Sequence, residues 1–113
     1  VFSAGSTNLG GSISVRSDIL TRVVPGAYPY DPLSTDYVIE VDTSSARTIR
    51  LPNAPTTGKS YVIKDVTGSA ATNNITLTTV GGAVTIDGAT SRTLASNYVS
   101  ATVYFNGTSY FII

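Results

Sequence analysis

From Asp36 to the end of the chain, apolar and polar side chains alternate in short runs, each cut off by Gly, Pro, Asn or Asp after about ten residues. A side-chain period of two fits an extended strand with one buried face. No window carries an apolar stripe at helical spacing. These features restrict the chain to an all-β fold, a sandwich or a barrel.

The individual runs are clear. DYVIEVDT sets Tyr37, Ile39 and Val41 against Val38, Glu40 and Asp42, and RTIRLP sets Ile49 and Leu51 against Thr48 and Arg50. SYVIKDV follows the turn NAPTTGK, and NITLTTV alternates Ile75 and Leu77 with Thr76 and Thr78. AVTID lies between breaks at Gly81-Gly82 and Asp87-Gly88, and SRTLASNYVS is the least regular piece. The closing ATVYFNGTSYFII predicts a hairpin. Asn106-Gly107 at its centre supplies the positive φ values of a two-residue type I′ turn.

Both faces of that hairpin carry large apolar groups, which a half-solvated strand would not show. Tyr110, Phe111, Ile112 and Ile113 are therefore expected to be covered on both sides, since an exposed apolar edge invites aggregation. The cover comes from another strand, from residues 1–34 or from a sister chain. In the last case these four residues form an intersubunit surface.

Residues 1–34 read differently. VFSAGSTNLGGS is loop-like, residues 12–16 and 18–24 alternate briefly, and PGAYPYDPLSTD holds Pro25, Pro29 and Pro32 at spacings that suit neither helix nor central strand. The expected division is a lead-in segment with short strands over 1–34, peripheral or intersubunit, and a β-sandwich domain over 35–113. A start at Val1 without an initiator Met reads as a processed product or a piece of a longer protein.

Composition then removes chemistry. With His 0 and Cys 0, triads that need His, Cys–His pairs, zinc sites built on either residue and any disulfide framework are excluded. Lys+Arg 7 against Asp+Glu 7 gives a formal net charge of +0, which argues against nucleic-acid binding. No apolar run approaches the roughly 20 residues of a membrane span. Neither dinucleotide nor P-loop glycine motifs occur, and no loop has the oxygen-ligand density of a calcium site, so no cofactor or metal is expected. Charged residues are only 12% while Ser and Thr make up roughly a quarter of the chain, a balance that leans toward secreted or virion β-proteins.

Carboxylates remain for acid–base work. Glu40 and Asp42 lie two apart on one strand face, about 6–7 Å by strand rise, within range of a glycosidase pair. Their alternation against Ile39 and Val41 points both to solvent, where they would pair with Arg47 or Arg50, so no catalytic residue and no enzyme is expected. Asp31, Asp36, Asp65 and Asp87 each sit beside a turn, where Asp bonds local backbone. Tyr28 and Tyr30, in AYPYDP, are the candidate ligand-binding residues: they offer stacking surface to sugar rings, or they pack a long loop onto the sheet.

Residues 30–113 resemble a module found at the carboxyl ends of bacteriophage tail spikes and tail fibres. The resemblance rests on YDPLSTDYVIEVDTSSARTIRLPNAPTTGKSYVIKDVTGSAATNNITL, then VTIDGA, then VYFNGTSYFII. The order of these elements carries it, and no single one does. Where the family often has Trp near its end, this chain has Tyr110 and Phe111. The resemblance implies a homotrimeric, antiparallel, jelly-roll-like β-sandwich at the tip of a virion protein. It further implies an extracellular setting, spike or fibre domains upstream, and a role in trimer assembly or in touching a bacterial surface glycan.

Overall fold

The structure is a computed structural model, described over residues 20–113. The alternations expected over 12–16 and at 18–19 lie outside the described residues. Among these residues the strands are β1 (Arg22–Val23), β2 (Val38–Val41), β3 (Arg47–Leu51), β4 (Ser60–Asp65), β5 (Ile75–Thr79), β6 (Ser91–Leu94), β7 (Ser100–Phe105) and β8 (Tyr110–Ile112). One 3-10 turn, Val80–Gly82, is the only helical element among the described residues. The all-β reading holds.

The strands make two sheets, one in the order β1-β2-β4-β7-β8 and one in the order β3-β5-β6. Their inward residues form one core: Ile39, Val41, Tyr61, Ile63, Val103, Phe105 and Tyr110 from the first, and Ile49, Leu51, Ile75, Leu77 and Leu94 from the second. Period-two alternation predicts these positions because successive side chains leave a strand on opposite faces.

The wholly antiparallel pairing expected from the sequence is corrected. β1 pairs parallel to β2, β2 to β4 and β3 to β5, while β4–β7, β5–β6 and β7–β8 are antiparallel. The cause lies in the connections. After β2 the chain crosses to the second sheet as β3, then returns as β4 beside β2 in the same direction. Residues 42–59, including all of β3, thus form the long crossover that a parallel pair needs. Turn residues such as Ser44-Ser45 or Pro55 mark where a strand stops, and carry no information on which sheet receives the next one.

Two local expectations shift. Phe105 pairs with Tyr110, so the last hairpin closes through the four residues 106–109, centred on Gly107-Thr108, one residue beyond Asn106-Gly107. Gly107 takes the positive φ, +104°, while the Asn106 side chain accepts the backbone N–H groups of Thr108 and Ser109, each at 2.9 Å. Asn106 works as a side-chain acceptor here, an Asx role, and not as a left-handed backbone position. AVTID forms no strand: Ile86 is fully buried and makes only isolated bridges to Ala89 and Tyr110.

The lead-in segment meets both sheets. β1 lies at the edge of the first, and Tyr30 bridges Ile49 at the edge of the second, with its N–H donating to Thr48 O and its C=O accepting from Arg50 N.

Candidate functional site

Tyr28 and Tyr30 are half-buried and pack on the core, both largely occupied within the chain. The Arg47 guanidinium sits 4.4 Å from the centroid of the Tyr28 ring, and the Tyr28 hydroxyl accepts from Asp42 N at 3.1 Å. The Tyr30 hydroxyl donates to Asp36 Oδ2, which also accepts from Leu33 N at 2.9 Å. Of the two readings of AYPYDP, this geometry matches the packing of a loop onto the sandwich.

Burial and the neighbouring Asp36 carboxylate push the Tyr30 phenol from its usual 10.0 up to about 12. Burial likewise raises Tyr61 and Tyr110. The fold therefore favours the neutral phenols. Their contribution to stability is complete below pH 10, and that of Tyr30 is lost as pH climbs from 10.0 to about 12. An ultraviolet titration of the tyrosines should show a late-ionising fraction whose onset coincides with loss of the β circular-dichroism signal. Ionisation of every tyrosine near pH 10 with the fold intact would contradict this.

Glu40 and Asp42 do not act as a pair. Glu40 faces away from the core and bonds Arg22 Nη2 at 2.6 Å, a partner the sequence reading did not choose. Asp42 meets Arg47 at 3.3 Å, as expected, while Arg50 bonds Asp31 at 2.7 Å. The hydrogen bond from Arg22 lowers the pKa of Glu40, and hydrogen bonds from Ser44 lower that of Asp42. Both stay ionised, so neither is poised as the proton donor that a glycosidase pair requires.

Asp65 is the most deeply buried carboxylate among the described residues, fully shielded from solvent at the end of β4. Its Oδ1 accepts from Thr43 Oγ1 at 2.8 Å, Thr67 N at 3.0 Å and Gly68 N at 2.8 Å. Its Oδ2 accepts from Ala70 N at 3.1 Å and Tyr98 N at 2.9 Å. Burial alone would raise its pKa, but the donors at Gly68, Thr43, Tyr98 and Ala70 outweigh burial and hold it well below the usual carboxylate range. Three loops meet on this group: 42–46, 66–74 and 95–99. The turn reading of Asp65 was right as far as it went, and missed Thr43 and Tyr98.

Tyr98 stands beside this knot. Its backbone is left-handed at φ +61°, its carbonyl accepts from Lys64 Nζ, and the residue is 60% exposed.

A second surface is the outer face of the first sheet. Pairing sets Val38 beside Val62, Val62 beside Thr102, and Ile113 donates its N–H to Thr102 O at 2.8 Å. The next row runs Ser60, Tyr104, Phe111, with the two rings 5.9 Å apart. Val38, Val62, Tyr104 and Phe111 are half-buried, and Ile113 is 75% exposed. Arg22, Glu40 and Lys64 lie on the same face toward the β1 edge and the Asp65 end.

Of the four terminal residues named from the sequence, Phe111 belongs to this face and Ile113 continues its outer row. Ile112 pairs with Val103 and packs partly against the core. Tyr110 is fully buried, and its hydroxyl donates to Pro52 O at 2.6 Å, so its side chain offers nothing to a neighbouring chain.

No protein-family model matches the chain, and no curated protein matches it at a significant level. Among the described residues no group of His, Cys, Asp and Glu is arranged to hold a metal ion, and no helix is long and apolar enough to cross a membrane.

Proposed function

We propose that the chain is a non-enzymatic assembly and attachment module of a bacteriophage tail spike or fibre, working as a homotrimer on the outside of the virion. The observation that carries this reading is the apolar cluster spanning two rows on the outer face of the first sheet, Val38, Val62, Tyr104, Phe111 and Ile113. A face turned to water carries polar residues at such positions. Here five of the seven positions in the two rows are apolar or aromatic, Ser60 and Thr102 being the polar two, and charges appear only toward one edge, the pattern of an interface with an apolar centre and a polar rim.

Sister chains are the occupant that this face fits. Its apolar rows run onto β8, an edge strand of the sheet, so a neighbouring copy would shield both the face and the edge. The number three comes from the resemblance of residues 30–113 to the tail-spike module. Burying these faces against one another would fix the register of the three chains and slow unfolding. Host attachment, through a bacterial surface glycan, belongs to the same reading.

Static light scattering tests it. The expected mass is three times the 11.7 kDa of one chain. A monomer at micromolar concentration would remove the assembly role, and a stable dimer would remove the threefold part of it.

A further inference from the structure

Tyr98 occupies a backbone position that glycine fills without strain. At φ +61° an aromatic side chain sits in the left-handed region, which non-glycine residues other than Asn and Asp seldom adopt. The hydrogen-bond role of the position needs no side chain, since Tyr98 contributes its N–H to Asp65 Oδ2 and its C=O to Lys64 Nζ. A glycine would do both. The ring therefore calls for its own explanation.

The ring has a built seat. A Cβ placed on Gly68, whose φ is +88°, would lie 2.4 Å from Tyr98 Cζ and 2.7 Å from its hydroxyl oxygen. Only glycine at 68 lets the ring lie against that backbone. One side of the ring is thus braced while the residue remains 60% exposed; the other six tyrosines are buried or half-buried. The result is an aromatic surface fixed at both backbone groups and along its ring.

We propose that Tyr98 is a stacking platform for a pyranose ring of a bacterial surface glycan. The inference rests on the attachment part of the reading above and moves the contact from Tyr28 and Tyr30 to Tyr98, beside Asp65 and Gly68. A sugar ring presents C–H groups to an aromatic face and hydroxyls to its rim, which matches an amphipathic tyrosine. The chain segments next to Tyr98 and Gly68 supply neutral polar groups. Asn97 Oδ1 is fixed by Ala71 N at 3.0 Å, its Nδ2 has no partner among the described residues, and Ser96, Thr67 and Ser100 are exposed. The Lys64 ammonium at the base of Tyr98 disfavours a cationic ligand, and a chain with net charge +0 gives a nucleic acid little to hold.

The test is proton NMR of the 113-residue chain, following the Tyr98 ring signals on addition of maltohexaose, laminarihexaose, mannohexaose, chitohexaose or O-polysaccharide released from smooth lipopolysaccharide. At least one saccharide should shift these signals in a saturable way. Tyr98→Gly, which keeps the backbone bonds and relieves the φ, should stay folded and bind about tenfold more weakly or worse. Tyr98→Phe, which keeps the ring, should retain most of the affinity. No shift with any of these saccharides, or equal affinity in Tyr98→Gly, overturns the proposal. Because the readout is a ring signal and not a mass, it fails separately from the assembly role: a trimer that ignores all five probes leaves assembly standing and removes this site.

Discussion

Asp65→Ala should destabilise the domain by on the order of 3–5 kcal/mol, enough to leave a fold of ordinary stability largely unfolded near its working temperature. The expectation follows from what the carboxylate holds. Five donors, from Thr43, Thr67, Gly68, Ala70 and Tyr98, converge on it in a site closed to water. Truncation leaves them unpaired at once, and each unsatisfied buried donor costs about 1–3 kcal/mol before relaxation. Asp65→Asn keeps the shape but turns one acceptor into a donor facing the N–H groups of its neighbours, so it should lose roughly half as much. Urea denaturation of the three proteins provides the measurement. An alanine variant within about 1 kcal/mol of the parent would show that water or loop rearrangement replaces the carboxylate.

The same group sets an acid limit. Its folded pKa lies below the ordinary 3.8, because the donors more than offset burial. Stability from this difference is complete above 3.8 and drains away as pH falls through and beneath that value. Asp65→Asn should therefore show a flatter acid denaturation profile than the parent at pH below 4, despite its lower stability at neutral pH. A slope unchanged from the parent's would assign the acid sensitivity to the exposed pairs Arg22–Glu40 and Arg47–Asp42.

Asp65 also shows what the sequence makes legible. Inward positions along β4 run Tyr61, Ile63, Asp65, and the alternation already points the third of them into the core. Likewise Ile39 and Val41 are continued by Thr43, and Ile75 and Leu77 by Thr79, all buried. Several strands therefore hand their inward parity to a polar residue at the point where loop backbone must be satisfied. A reading that treats Asp beside a turn only as a turn marker stops one step short. The core was readable because solvent sorts side chains by face. The parallel pairings were not, because face and direction are independent: the same alternation serves a strand that turns back and one that crosses to the other sheet.

The candidate sites divide in the same way. Tyr28 and Tyr30 drew attention through their prolines, but Arg47, Asp42 and Asp36 engage them, and the two partners of Tyr28 lie 14 or more residues away in sequence. Tyr98 gave no signal, since its left-handed backbone is tied by a hydrogen bond to Asp65, 33 residues away, and no propensity anticipates an aromatic there. Phe111 and Ile113 were legible as apolar residues in need of cover. That Tyr110 faces the other way follows only once register with Phe105 is known.

That register also makes the assembly proposal sharply testable by substitution. Val62→Asp and Phe111→Asp place a carboxylate on the outer face of the first sheet, directed away from the core formed by Ile63, Val103 and Tyr110. Neither change should disturb the fold of a single chain, so circular dichroism should retain its β signature. In a trimer, however, either change would desolvate three carboxylates, one per interface, at a cost of about 2–5 kcal/mol per interface. Association should weaken by on the order of a thousandfold, and light scattering should report single chains where the parent gives threes. The matching control is Thr76→Asp, which adds the same charge to the hydroxyl-bearing outer face of the second sheet, beside Thr48 and Thr93. If Thr76→Asp dissociates the assembly and Phe111→Asp does not, the chains meet through the threonine face. If both faces tolerate the charge, the apolar rows serve something other than sister copies.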